Sequence, residues 1–225
     1  SNGFLNRRSR VRVTPGVPLS VPASQLRDPQ RHGRHARSGF TWRLPPWLLV
    51  ALAVTGLRLY TAAAVGLGDA EAYYWTWSEQ LAAGYFDHGP VVAWLIRLGT
   101  LVGGDTTLGV RWPFAIVSLL TMVTLAHAAA ASAARPRRVA WFAVLGLLCM
   151  PAFQVAGGAA NPDVPLVALV AAFIALAPAR AAPSARRCAL LGLIVGIAVS
   201  TKLFGLGLVP ALACLSLRGR GARAR

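Results

Sequence analysis

Long apolar blocks that carry almost no charge dominate the sequence, and they narrow the possible folds more than any other feature. An α-helix needs about 20 mostly apolar residues to cross the hydrocarbon core of a bilayer. Blocks near this length predict membrane-spanning helices at 47–66, 108–131, 139–157 and 164–179, and a longer block covers 188–217. Only 13% of the residues are charged, whereas soluble domains carry about 25%. The sequence therefore predicts an all-α, polytopic transmembrane protein.

The net charge of +16 would by itself suggest a nucleic-acid partner, but its distribution favours a membrane topology signal. The arginines cluster beside the apolar blocks, within 1–46, 135–138, 180–187 and 218–225. Cytoplasmic loops of membrane proteins are enriched in such residues. We therefore expect no nucleic-acid partner, and a multi-pass protein of the plasma (inner) membrane with a cytoplasmic N-terminus. The Arg- and Pro-rich segment 1–46 is expected to be a disordered basic cytoplasmic tail; the transmembrane domain then covers 47–217, and a second basic tail covers 218–225.

Two basic residues interrupt the apolar blocks. A charge inside a membrane is costly unless it is paired or reaches the interface. Arg58 is therefore predicted either to face the protein interior or to lie near the outer end of the first span. The block 188–217 is too long for one ordinary span and too short for two. It predicts two short, broken helices with Lys202 at their junction.

The polar, aromatic-rich segment 67–108 is predicted to be the first extracytoplasmic loop. It contains two short helical patterns, 71–83 and 90–102, which are too short to span a membrane and suit interfacial helices. Five of the seven acidic residues lie in this loop, Asp163 lies in the second outer loop, and the single lysine, Lys202, falls on the same side. Carboxylates at a membrane boundary lose solvation without a compensating role. These loops are therefore the candidate site.

Four short elements follow one another along the chain: DAEAYYW at 69–75, YFDHGP at 85–90, NPD at 161–163 and STK at 200–202. In this order they resemble the motifs of the ArnT-like and protein O-mannosyltransferase-like enzymes, which are membrane glycosyltransferases of the family 39 type with a GT-C fold. The resemblance covers about residues 68–210 and implies the N-terminal portion of such an enzyme. It implies transfer of a sugar from a polyprenyl-phosphate donor to an extracytoplasmic lipid, glycan or protein, with inversion.

The resemblance also implies roles for individual residues. A carboxylate of the first element would be the general base that deprotonates the acceptor hydroxyl, and Asp163 would shape the same site. His88 and Lys202 would contact the lipid phosphate or the acceptor, with Arg97 and Arg111 as further cationic candidates. The catalytic candidates are Asp69, Glu71 and Asp163, and the substrate-binding candidates are Tyr74, Asp87, His88, Arg97 and Lys202.

The sequence departs from the family pattern at two positions. The family has adjacent Asp and Glu residues, whereas here Ala70 separates Asp69 from Glu71. This leaves two candidates for the base, and Asp69 is preferred. Gly89 stands where the family often has Pro, and we expect it to soften the loop.

Ordinary structural interpretations stand beside the functional ones. Loop acids are commonly solvated, Asp163 suits a helix N-terminus, and Asp87 with His88 suits a turn. Lys202 could extend to the interface, and the aromatic residues 73–77 are typical of an interfacial belt.

No nucleotide-binding motif is present, which suits a lipid-linked donor. No protein-bound cofactor is predicted, and a divalent metal is left open, because the Asp87-His88 pair supplies too few ligands to indicate one. Cys149, Cys188 and Cys214 lie in apolar stretches and are interpreted as packing residues. The alternatives to a glycosyltransferase are a transporter or flippase-like protein, or an inactive truncated fragment.

Overall fold

The computed structural model describes residues 44–131, 133–177 and 183–223, with side chains placed as far as residue 217. Within these ranges the chain is helical and contains no strand. The helices are α1 Pro46–Ala64, α2 Asp69–Glu79, α3 Val91–Gly103, α4 Thr107–Ala131, α5 Pro136–Leu148, α6 Pro151–Ala156, α7 Asp163–Leu176, α8 Ala185–Thr201 and α9 Leu208–Arg223, with a 3-10 turn Leu203–Gly207 before α9. The all-α fold class is therefore confirmed.

Two helices, α1 with 19 residues and α4 with 25, are long and apolar enough to cross a membrane, as judged by length and composition. They agree within two residues with the first and second predicted spans. Shorter apolar helices are α3, α7 and the segment Leu203–Leu217. Helices α2 and α3 occupy the two short helical segments predicted in the first outer loop, so both are confirmed as helices.

The third predicted span, 139–157, is wrong as a single helix. Helix α5 ends at Leu148 and α6 begins at Pro151. Proline lacks a backbone N–H and pushes the residue before it towards an extended conformation. Met150 accordingly has φ −83° and ψ 112°. Helix α7 ends at Leu176, short of the predicted residue 179, and residues 178–182 lie outside the described part.

The predicted break at Lys202 is confirmed. Helix α8 ends at Thr201, and Lys202 is extended, with φ −160° and ψ 141°. The chain then forms the 3-10 turn and continues as α9 to Arg223. The predicted tail at 1–46 lies almost wholly outside the described residues.

Arg58 faces the protein interior, which confirms the first of its two predicted placements. Its side chain is on the buried side of α1, and the residue is only 5% exposed. Its Nη2 donates hydrogen bonds to the Phe153 carbonyl oxygen at 3.1 Å and to Gln154 Oε1 at 2.8 Å. The guanidinium also lies 5.0 Å from the centre of the Phe153 ring. Arg58 therefore holds α6 against α1.

The outward side of α1 is apolar. Leu49, Leu52, Leu57 and Tyr60 are exposed, whereas Thr55 and Arg58 are buried. A helix at the surface of a soluble protein shows the opposite pattern. Polar residues inside and leucines outside are the arrangement that hydrocarbon favours.

Helix α4 is the centre of the fold, since it packs against α1, α3, α5 and α7. Two apolar clusters pack against α4, one along each half of the helix. One joins α1, α4, α5 and α6 around Trp47, Met122 and Phe153. The other joins α2, α3, α4 and α7 around Trp77, Phe114 and Val164. The second cluster supports the outer-loop segments that carry the candidate site.

We expect the contact between α3 and α4 to depend on Gly99. A Cβ atom added at Gly99 would lie 2.7 Å from Pro113 Cγ and would overlap the carbonyl oxygen of Gly109. Gly99→Ala should therefore destabilise the protein by about 1–3 kcal/mol through overpacking, measured by thermal unfolding in detergent with circular dichroism. Gly56→Ala is the matched control, because no atom lies within 4 Å of its added Cβ. Equal melting temperatures for the two variants would contradict this packing.

Candidate functional site

The carboxylate of Glu71 is buried and fully hydrogen-bonded. Its Oε1 accepts from Arg111 Nε at 2.8 Å and from the backbone N–H of Ala160 at 2.8 Å. Its Oε2 accepts from the backbone N–H of Gly68 at 3.0 Å and from Arg111 Nη2. A carboxylate offers about four lone-pair positions. Glu71 therefore has no position left for a substrate proton.

Arg111 is saturated in the same way. Besides its two bonds to Glu71, its Nη1 donates to the carbonyl oxygens of Ala62 and Val65, and its Nη2 donates to that of Gly66. A guanidinium has five N–H donors, and all five are used. Arg111 thus has no donor free for a lipid phosphate, although the sequence made it a candidate. Its role in this structure is to hold the end of α1 against α2 and α4.

The environment of Glu71 stabilises its ionised form. Burial acts to raise the pKa of the Glu71 carboxyl, but the hydrogen bonds from Arg111, Gly68 and Ala160 and the positive charge of Arg111 outweigh it. The resulting pKa lies below the ordinary value of 4.5. A carboxylate with a lowered pKa is a weaker base, which separates Glu71 from the role of proton acceptor.

The YFDHGP loop is fixed to α2 by Tyr85. The Tyr85 ring stacks on Trp77 with the centres 4.6 Å apart, and its hydroxyl donates to the Trp77 carbonyl oxygen at 2.9 Å. The Tyr85 N–H donates to the His88 carbonyl oxygen at 3.0 Å, which closes the loop. The sequence did not single out Tyr85 as a site residue, although Tyr85 is the first residue of the YFDHGP element.

Gly89 brings this loop against the end of α8. A Cβ atom at Gly89 would overlap the carbonyl group of Ser200. We expected Gly89 to soften the loop. In the structure, the main effect of this glycine is to let the loop backbone lie directly against the backbone of Ser200. As a result the YFDHGP and STK elements, separated by more than a hundred residues, lie side by side.

The NPD and STK elements meet through an ion pair. Lys202 Nζ lies 2.7 Å from Asp163 Oδ1. Asp163 is the first residue of α7, and its N–H is held by the Asn161 side-chain oxygen at 2.9 Å. Lys202 also lies 5.5 Å from the centre of the Phe204 ring. The extended backbone at Lys202 is what lets its side chain reach α7.

An open cavity of about 310 Å³ lies between the YFDHGP loop and the end of α8. It is lined by residues 83–90 and by Val199, Ser200, Lys202 and Leu203. Three predicted substrate-binding residues, Asp87, His88 and Lys202, thus share one cavity. A second cavity of about 320 Å³ is mostly apolar and is lined by Asp163 with Leu147, Met150, Ala152, Phe153, Ala156, Val164 and Val167.

Tyr74 lies close to the same group of charged residues. Its ring centre is 5.9 Å from that of His88. Burial raises the pKa of the Tyr74 phenol above its ordinary value, and the negative charges of Asp87 and Asp163 raise it further. Tyr74, Asp87, His88, Asp163 and Lys202 are therefore brought together.

Besides Glu71 and Arg111, two further predicted site residues, Asp69 and Arg97, lie outside this group. Asp69 is exposed at the first turn of α2, and no side-chain hydrogen bond involves it within the described residues. Arg97 on α3 pairs with Glu79 at 3.4 Å, and the two side chains are 39% and 44% exposed. Across residues 44–131, 133–177 and 183–217, no cluster of three or more His, Cys, Asp or Glu side chains is arranged to hold a metal ion.

The class and the family follow from this fold together with a comparison of the sequence with protein families. Residues 87–223 match the model of a family described as dolichyl-phosphate-mannose-protein mannosyltransferase. With its all-helical membrane fold, the chain is a membrane glycosyltransferase of the mannosyltransferase type. The match covers more than half of the 225 residues, so the chain belongs to this family. No curated protein and no solved structure matched the chain.

Acid should remove the stabilisation that Glu71 provides. Folding lowers the pKa of the Glu71 carboxyl. Its contribution to the free energy of unfolding is therefore fully present above the pKa of the unfolded chain, about 4.5, and is lost as the pH falls through the pKa of the folded protein. At neutral pH Glu71→Gln should cost about 3–5 kcal/mol, since Arg111 stays buried without its partner. We would measure the melting temperatures of wild type and Glu71→Gln in detergent from neutral pH to about pH 3. The difference between them should narrow only below about pH 4.5. A gap that is constant with pH would contradict this account.

Proposed function

We propose that this protein transfers a sugar from a polyprenyl-phosphate donor to a hydroxyl group of an acceptor outside the cytoplasm. The observation that carries the proposal is the cavity in which Asp87, His88 and Lys202 meet, with Asp163 paired to Lys202. The description of the matched family names a dolichyl-phosphate sugar as the donor, which is a donor of the same chemical kind. The acceptor belongs to the lipid, glycan or protein class.

The proposed reaction is a single displacement at the anomeric carbon. The acceptor oxygen forms the new C–O bond, the bond from that carbon to the phosphate oxygen breaks, and the lipid phosphate leaves with the bonding electrons. The configuration inverts, and the acceptor proton passes to a carboxylate. Lys202 and His88 stabilise the charge that develops on the leaving phosphate. Tyr74 and Asp87 contact the sugar or the acceptor, and Asp163 shapes the same site.

Asp69 is the proposed general base. Glu71, the alternative, has both oxygens engaged by four hydrogen bonds and a lowered pKa. Asp69 lies two residues away on the same helix and is exposed. Asp69 does not line the polar cavity, so the acceptor must extend from that cavity to the exposed first turn of α2. Arg97 is retained as a phosphate contact that would have to exchange its partner Glu79 first.

We further propose a multi-pass topology with a cytoplasmic N-terminus. The arginines at 135–138 and 180–187 would then lie inside, and α2, α3 and the start of α7 outside. The support is the positive-inside rule together with the apolar outward side of α1. The basic tails predicted at 1–46 and 218–225 belong to the same proposal.

The function is tested by release of free polyprenyl phosphate from a radiolabelled polyprenyl-phosphate sugar in membranes, with pooled acceptors. Asp69→Asn should lower the rate by at least about a hundredfold, which is typical of losing a general base. The matched control is Asp105→Asn, which removes another exposed acid of the same loop and should leave the rate unchanged. Equal rates for wild type and Asp69→Asn would remove Asp69 as the base. Absence of acceptor-dependent release with every donor sugar would contradict the function itself.

A further inference from the structure

The ion pair between Lys202 and Asp163 joins the borders of two unlike cavities. Lys202 lines the polar cavity beside the YFDHGP loop, and Asp163 lines the mostly apolar cavity between α5, α6 and α7. Their charged atoms are 2.7 Å apart. A ligand with a charged head and an apolar chain that entered both cavities would meet this pair at its head.

The ion pair between Lys202 and Asp163 contributes little to the stability of the fold. The side chains of Lys202 and Asp163 retain 23% and 51% of their full exposure. Ion pairs exposed to this extent contribute only about 0.2–1 kcal/mol. The Glu71–Arg111 pair nearby is the contrast, since its side chains are 9% and 7% exposed and its hydrogen bonds are saturated.

The backbone around Lys202 also suits a change of partner. Lys202 lies between two helices in an extended conformation, and its side chain rests near the exposed ring of Phe204. A lysine has three donors on a flexible stem, so its ammonium group is a mobile point charge. Lys202 can therefore turn from Asp163 towards the polar cavity without any movement of α7.

We propose that Asp163 masks Lys202 until a phosphate group arrives, and that the phosphate then takes Lys202 and releases the Asp163 carboxylate. This inference rests on the proposed function and adds to it a competition between two anions for the single lysine. The ligand chemistry is a phosphate group, carried by a lipid chain or free in solution.

The competition has a consequence for the choice of ligand. Any phosphate must first displace the carboxylate, and its own negative charge is repelled by the freed Asp163. A lipid phosphate recovers this loss by burying apolar surface, at about 25 cal/mol per Å², in the cavity that Val164 and Val167 line. A free phosphate has no such gain. The mask therefore lowers the affinity for both kinds of phosphate, and the preference for the lipid-borne one comes from the apolar cavity.

The first test observes Lys202 directly. It is the only lysine of the chain, so labelling lysine with carbon-13 at Cε gives one nuclear magnetic resonance signal. Without ligand, Asp163→Asn should shift this signal, and Asp87→Asn should not, because Asp87 lines the same cavity without pairing with Lys202. At saturating farnesyl phosphate, the difference between the signals of the native chain and Asp163→Asn should become smaller than it is without ligand. A difference that does not shrink would show Lys202 still bound to Asp163 and would overturn the exchange.

The second test is the affinity for farnesyl phosphate and for inorganic phosphate, measured by calorimetry in detergent. Asp163→Asn should tighten both by a similar factor of roughly two- to fivefold, the range for a partly exposed ion pair. Weaker binding by Asp163→Asn would mean that Asp163 helps to hold the ligand, and would overturn the masking. A gain for farnesyl phosphate alone would place the effect in the apolar cavity and would also overturn it.

The proposed function and this inference fail in different ways. If the native chain binds farnesyl phosphate no better than inorganic phosphate, the lipid-phosphate site of the proposed function is contradicted, and the inference with it. If the native chain prefers farnesyl phosphate but its lysine signal does not move on binding, only the exchange is lost. Both substituted residues are partly exposed, and unchanged melting temperatures would confirm that the variants fold.

Discussion

The arrangement of the outer segments depends on the buried ion pair between Glu71 and Arg111. It connects α2, which carries Glu71, with α4, which carries Arg111, and it also binds the chain after α1 through the carbonyl oxygens of Val65 and Gly66. The Ala160 N–H brings in the segment before α7. Burying two charges is costly unless their hydrogen bonds are satisfied, and here every donor and acceptor position is used. The pair therefore specifies one arrangement of four segments.

This arrangement assigns different tasks to carboxylates that look alike in the sequence. Glu71 is fully hydrogen-bonded to the surrounding structure and serves to support the fold. Asp163 is paired with the single lysine, and Asp69 is exposed. The two ion pairs also differ in kind. One is buried and saturated, so it supports the site, whereas the other is partly exposed and borders both cavities, so it is available to a ligand.

Much of the fold follows from local properties of the sequence. Uninterrupted apolar length predicted α1 and α4 to within two residues, and one lysine inside an apolar block predicted the break before α9. The break between α5 and α6 was missed because Pro151 was counted as part of an apolar block, although a proline disfavours helical backbone at the residue before it. A proline in an apolar run does not settle the matter alone, because α4 continues through Pro113 without a break.

The site was harder to predict, since its geometry depends on contacts between distant residues. The order of the four motifs indicated that they act together. No local sequence pattern shows that Arg111, forty residues further along the chain, would occupy the Glu71 carboxylate with hydrogen bonds. The role of Gly89 was equally hidden, because it depends on the backbone of Ser200. Motif spacing identified the candidate residues, and only the packing separates supporting carboxylates from available ones.

The central claim is that the Glu71–Arg111 pair holds the outer segments together as one unit. A double-mutant cycle of Glu71→Gln, Arg111→Gln and the double variant, measured as free energy of unfolding in detergent, tests it most directly. We expect each single substitution to be costly and the double variant to cost clearly less than their sum, with a coupling of about 1–3 kcal/mol, as contacting residues show. Additive losses, with no coupling, would contradict the claim.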